Sequence, residues 1–300
     1  MMLGIFFALL SPAIYAVVNY IDKFLLDKYD IPALVLTVYS GTIALLVSIL
    51  LIIIFGLHIF PLAVIMVIIL SGVFTQLVML PYFKALSLED TSTVIPLFQF
   101  VPVFVIIGDT LILGEKMTGL QYGGAILVIL AGILLSIKKT KNNIFKPRKA
   151  FGYMMLACLF SALSLLLFKY GISVQNFWQI LPYEGMGIAL CTVCLLFLPG
   201  KFKLLKKETN RLPKKVFLLM SIDEAVYIVS RYTGFFALAF ISASLVSVLG
   251  STQPLFVLLY GTILSLFFPF ILKEKITKQL FTMKLVAVVL TVLGVALISV

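Results

Sequence analysis

Asp223, Glu224, Tyr227 and Arg231 stand together in a stretch, 216–236, that is otherwise almost entirely apolar. Ionisable groups at membrane depth are costly, so they face protein or a wet cavity and mark solute or proton pathways. Glu224 and Arg231 are seven residues apart, with Tyr227 between them. On a helix all three share one face. Two readings follow. In one, Asp223 or Glu224 carries a proton while Tyr227 and Arg231 bind a solute. In the other, the charges form an internal ion pair that fixes helix packing. An ion pair with Arg231 would occupy Glu224 and leave Asp223 as the proton carrier.

Uncharged polar residues recur in other apolar stretches: Tyr15 and Asn19, Gln76, Gln99, and Ser251-Thr252-Gln253. Each suits a solute contact or, more commonly, a bond to a neighbouring helix. Tyr15, Asn19, Gln76, Gln99 and Gln253 therefore join Tyr227 and Arg231 as candidate solute ligands. Glu184, beside Pro182 and Tyr183, belongs either to the cavity or to an outer boundary. Lys84 and Lys169 close apolar stretches, where lysines snorkel to the interface. Pro102 and Pro254 free backbone carbonyls one turn back, which can line a cavity or permit a bend. Glu115 and Glu274 fall in turns at helix ends, where capping is the default role.

What is missing narrows the chemistry. The sequence has no Walker-type phosphate loop, no HExxH and no nucleophile elbow, which excludes an ATP-driven pump and the common hydrolase sites. His58, the only histidine, sits in a short connection. Cys158, Cys191 and Cys194 lie inside apolar stretches and read as packing residues. No cofactor and no metal is expected, and the chain does not read as an enzyme.

The elements that would position these residues follow from composition. Hydrophobic residues make up 62% of the chain and charged ones 12%, whereas a soluble domain is about half apolar and about a quarter charged. Ten apolar blocks of span length occur, roughly at 3–21, 33–55, 61–83, 92–113, 119–137, 151–171, 177–199, 216–236, 243–268 and 281–299. The first block lacks a basic leader and a clear cleavage site and reads as a retained helix. Residues 83–105 and 235–257 match without a gap. Phe83, Ala85, Leu86, Ser92, Val94 and Pro102 recur as Phe235, Ala237, Leu238, Ser244, Val246 and Pro254. The chain thus reads as an all-α membrane protein of two five-helix halves, 1–137 and 151–300, joined by a basic linker at 138–150. An odd number of spans per half makes the repeat an inverted one, about an axis in the membrane plane.

The net charge of +11 is spread through short connections, a mark of membrane topology rather than of a nucleic-acid groove. Connections after the first, third, fifth, seventh and ninth spans hold nearly all of the Lys and Arg. The positive-inside rule puts those connections in the cytoplasm and both termini outside.

Several short motifs carry a family likeness: Tyr82-Phe83-Lys84-Ala85-Leu86, Ser92, Pro102, Gly114-Glu115-Lys116-Met117-Thr118 and Gly132. They return as Phe235-Phe236-Ala237-Leu238, Ser244, Pro254, Glu274-Lys275-Ile276-Thr277 and Gly294. On these residues the chain resembles the drug/metabolite transporter superfamily in its EamA-type ten-helix form. The resemblance implies alternating access around a central cavity lined by both halves. Two features depart from the pattern: the charge count places both termini outside, and charges occupy the eighth span. The glutamate that four-helix multidrug relatives carry in mid-helix one is absent; the first span offers Tyr15, Asn19 and, at its end, Asp22.

The function expected is a secondary transporter in the plasma membrane, an exporter of small metabolites such as amino acids or amphipathic drug-like compounds. Protons would couple through Asp223 or Glu224. Its partners would be the solute, the bilayer and protons, with no nucleic acid, as a monomer or a homodimer. The rival readings are an intramembrane enzyme acting on lipid-linked substrates and a non-transporting membrane partner. Topology can be tested directly. Asn143→Cys, in a background without Cys158, Cys191 and Cys194, should resist an impermeant thiol reagent in intact cells and react once the membrane is opened. Strong labelling from outside would reverse the orientation.

Overall fold

A computed structural model describes residues 1–89, 91–114, 117–136 and 149–267, with short pieces at 282, 286, 289–290 and 292–297. The described residues are helical throughout, linked by short turns. Helix α1 is Met2–Tyr29, longer than the first apolar block, and it ends where Asp30 adopts a left-handed φ of 50°. Pro32 then opens α2, Ala33–Phe55, and Pro61 opens α3, Leu62–Leu88.

The fourth block is not one helix. It runs as α4 (Thr91–Val94), a 3₁₀ stretch (Ile95–Phe100), α5 (Val101–Gly108) and a π turn (Asp109–Leu113). Pro96 and Pro102 remove the amides that a continuous helix would need. α6 is Gly119–Ser136, α7 Lys149–Val174 and α8 Phe177–Leu196, the last capped by Asn176. The basic connection after α8 folds into a short helix of its own, α9 (Lys201–Arg211), ahead of α10 (Lys214–Ala237).

The ninth block also breaks. α11 (Ala243–Gly250) gives way at Ser251-Thr252 to α12 (Gln253–Phe267). Pro254 has no N–H to offer the Gly250 carbonyl one turn back, so the ladder stops there.

Six of these helices are long and apolar enough to cross a membrane: α1, α2, α3, α7, α8 and the joined α11–α12. Val101–Leu113 and Gly119–Ala131 are shorter apolar helices. α10 has 24 residues, enough to span, but it carries Asp223, Glu224 and Arg231. The tenth block lies mostly outside the described residues.

The halves interleave. α3 runs along α7 and crosses α8, α2 packs on α8, and α1 runs along α10 and touches α11 and α12. Both apolar cores draw on both halves; one unites Ile5 and Ile68 with Phe168 and Leu238. Small residues let the backbones approach, as packing in lipid favours. A Cβ on Gly72 would collide with the Glu184 carbonyl, and one on Gly187 with the Ile69 carbonyl. At Gly41 it would meet Thr192, and at Gly185, Ser48.

Two lysines tie helix ends in the same way. Lys23 donates to the carbonyls of Leu86 and Glu89, and Lys169 to those of Leu238 and Ile241. Snorkelling therefore does not describe Lys169: its ammonium caps the end of α10. Lys84 is exposed, as an interfacial lysine would be. A further tie joins the halves. Asp109 accepts from both the amide and the hydroxyl of Ser244, at 2.7 and 2.5 Å, in the first turn of α11.

The glycine contacts set a stability test. Gly187→Val should lower thermal stability in detergent by about 1–3 kcal/mol, the usual scale of overpacking. Gly152→Ala, with open space at its Cβ, should be neutral or up to about 1 kcal/mol stabilising, since alanine is the better helix former. Equal melting of the two variants would contradict the close α3–α8 crossing.

Candidate functional site

The helix breaks in both halves face a common space. A cavity of about 210 Å³ is bounded by α1, α3, the 3₁₀ stretch, α5, α7, α10, α11 and α12. Its wall is mixed. Tyr15, Ser11, Ser164, Ser230 and Ser247 supply hydroxyls, while Val78, Phe98, Leu165 and Phe235 supply apolar surface. Arg231 is the only charged residue on the wall among the described residues.

The break between α11 and α12 contributes Gly250, Ser251, Gln253 and Pro254. Broken helices at membrane depth are tolerated where they line such a cavity, and their loosened backbone offers polar groups to a solute.

Arg231 is 7% exposed, and its counter-ion is Glu184 on α8, which is fully buried. Spacing alone points to Glu224, seven residues or about two turns away on the same helix; the fold brings in a different helix instead. Nη2 lies 3.3 Å from Oε2 of Glu184, an ionic contact that falls short of an aligned hydrogen bond. Nε and Nη2 have no hydrogen-bond acceptor among the described residues. Thr75 donates to the other carboxylate oxygen of Glu184 at 3.1 Å. The rings of Tyr227 and Tyr232 flank the guanidinium at 5.5 and 5.1 Å, and Tyr15 lies 5.6 Å from Tyr227. Glu184 is thus an interior residue rather than a boundary one.

Glu224 is buried and accepts from Ser40 on α2 at 3.0 Å. Asp223 turns toward α1, where its carboxyl meets that of Asp22 within hydrogen-bonding reach. Tyr82 donates to Asp22 at 2.8 Å and accepts from Asn19 at 3.0 Å. Asn19 in turn accepts from Gln253 at 2.6 Å. One chain of contacts therefore runs from Gln253 on the cavity wall through Asn19 and Tyr82 to the acidic pair. Asp22 went unassigned in the sequence because it sits at the edge of its apolar block. Its only signal was an acid one turn beyond Asn19.

The other candidates are placed as follows. Tyr15, Tyr227, Arg231 and Gln253 are on the cavity wall. Asn19 lies behind it. Gln76 spends its amide nitrogen on the Thr37 carbonyl and the Thr192 hydroxyl, joining α2, α3 and α8 away from the wall. The side chain of Gln99 lies outside the described residues.

Comparisons with known proteins agree with this architecture. Residues 2–137 match the EamA-like transporter family. A solved crystal structure, described only as that of a protein, resembles the chain with a TM-score of 0.66 and 16% identity. That likeness covers 99% of this chain and 94% of the other, and at such identity it shows the fold alone. No curated protein matches the chain.

The ion pair generates its own test. Arg231→Gln strands the buried Glu184 and should cost about 3–5 kcal/mol, the usual penalty for removing one partner of a buried pair. Arg231→Gln combined with Glu184→Gln should recover most of that loss. Thermal unfolding of the two variants in the same detergent reads the difference. Equal losses would show that the residues do not act as a pair.

Proposed function

We infer, from the membership of residues 2–137 in the EamA-like transporter family, that this multi-pass membrane protein carries small metabolites out of the cell by alternating access. The observation that carries the reading is the cavity between elements of both halves, walled at the broken α11–α12 helix and lined, among the described residues, by a single charged side chain. The site belongs to a plasma-membrane carrier of amino acids or amphipathic compounds. It works as a monomer or a homodimer.

Three features support the inverted ten-helix repeat. The register that pairs 83–105 with 235–257 also pairs Leu86 with Leu238 and Glu89 with Ile241, the carbonyls held by Lys23 and Lys169. The contact of the third span with the sixth exchanges with that of the eighth with the first. The two broken segments occupy corresponding places in the halves. The orientation draws support from Arg211, which donates to the Tyr29 and Asp30 carbonyls. It brings the basic seventh connection to the same end as the first.

Coupling is assigned to the acidic cluster. Asp22 and Asp223 face each other with no cation paired to either among the described residues. Two buried carboxyls held together share a proton, because both charges together would be too costly in this setting. Opening the site to water on one side releases that proton. Glu224 is the adjoining acid, held on α2 by Ser40.

Proteoliposomes and a radiolabelled panel of amino acids and amphipathic compounds test the reading. Asp22→Asn and Asp223→Asn should abolish pH-gradient-driven accumulation yet retain solute exchange, and Glu224→Gln should impair accumulation less. Full gradient-driven transport in both aspartate variants would remove protons from the mechanism. Absence of exchange across the whole panel in the wild type would remove the carrier reading.

A further inference from the structure

We propose that α9 is a docking surface for anionic phospholipid headgroups, which hold it against the membrane beside the two helices it joins. Lys203, Lys206 and Lys207 stand three and four residues apart on α9 and so share one face. All three are exposed, as are Lys214 and Lys215 at the start of α10. No carboxylate pairs with any of them among the described residues. The one acid of α9, Glu208, is buried and lies 2.7 Å from Arg211. The outward face therefore carries positive charge that the protein itself does not balance.

The helix is fixed with that face outward. Gly200 takes a left-handed φ of 77° and turns the chain out of α8. At the other end Arg211 donates to the Tyr29 and Asp30 carbonyls, where α1 ends, and Leu212 is buried. Leu204 and Leu205 are half-buried and fall on the same side as Glu208. The positive-inside rule asks only for basic residues in a connection. It does not ask for a helix that sorts its lysines to one face and buries its own acid.

The place of α9 in the chain decides what that face meets. Residues 197–200 separate it from α8, and 212–213 from α10. Both neighbours are of span length, which keeps α9 at headgroup depth. Phe197, Leu198 and Phe202 lie next to the lysines in sequence and are 84%, 48% and 62% exposed. Rings beside a row of lysines suit the boundary between headgroups and acyl chains, where long lysine stems carry their ammonium groups to phosphate. A soluble acidic protein would complement the lysines and leave the rings in water. Anionic lipid meets both.

Native mass spectrometry of the full-length protein, released from nanodiscs of mixed phosphatidylglycerol and phosphatidylcholine, counts the lipids it retains. Wild type should prefer phosphatidylglycerol by about tenfold, the scale expected when a few lysines act close to an anionic surface. Lys203→Gln, Lys206→Gln and Lys207→Gln together should bring the preference below about threefold. Melting of that variant in phosphatidylcholine should not change, since glutamine forms helices about as well as lysine. Arginine at the same three positions should keep the preference, and so should Lys28→Gln with Lys84→Gln, which removes exposed lysines elsewhere. Equal retention of the two lipids by wild type, an unchanged preference in the triple glutamine variant, or its loss in the arginine variant overturns the proposal. Soluble polyglutamate that displaces phosphatidylglycerol at equal concentration of charge would point to an acidic protein partner and overturn it too.

Discussion

A guanidinium buried among apolar helices has to be neutralised from close by, and Arg231 takes its counter-charge from a different helix. That single requirement ties α10 to α8 through Glu184, and Thr75 draws α3 into the same contact. The backbones around it accommodate the demand. Gly72 and Gly187 are the residues that let α3 and α8 approach closely enough for a carboxylate on one to lie against the side chains of the other. An ion pair of this kind contributes little net stability compared with apolar packing, but removing one member is severe. Here it keeps a cationic residue on the wall of the cavity with its counter-charge buried behind it.

The second organising constraint is the interrupted helix. Proline at 96, 102 and 254 prevents two spans from being continuous, and both interruptions border the cavity. Continuous helices satisfy all of their own backbone groups and present only side chains. The break at Ser251-Thr252 lets Gly250, Gln253 and the neighbouring backbone reach the cavity, and Gln253 begins the path to Asn19, Tyr82 and the acidic pair. The closure of α11 by Asp109 on the opposite half fixes where that interrupted span starts.

Much of the architecture could be read in the residue order. Block length and composition identified helical spans, and the ungapped repeat around Pro102 and Pro254 pointed to the two segments that break. The identity of ion-pair partners could not be read the same way. Spacing along one helix relates Glu224 to Arg231, yet burial rewards whichever carboxylate three-dimensional packing delivers, and that is Glu184. Asp22 illustrates the same limit. Its meaning depends on α1 lying along α10, a contact between positions some two hundred residues apart. Gln76 and Asn19 look alike as isolated polar residues in apolar blocks, and only their neighbours separate a helix tie from a link to the cavity. The helix α9 within the basic connection was hidden because charge density marks a cytoplasmic loop whether or not it is ordered.

The interleaving of the two halves has a consequence for how the chain is made. Ser71, Thr75 and Gln76 on α3 are buried, and their partners include Ser164, Glu184 and Thr192 on α7 and α8. All three partners are synthesised later. While the ribosome is still producing the second half, α3 sits in the bilayer without these three partners, although Thr75 can already donate to the Ser71 carbonyl and Gln76 to the Thr37 carbonyl. The polar ties from α3 to α7 and α8 can therefore close only after the second half has been inserted. The late maturation of the first half is built into the order in which the helices leave the ribosome.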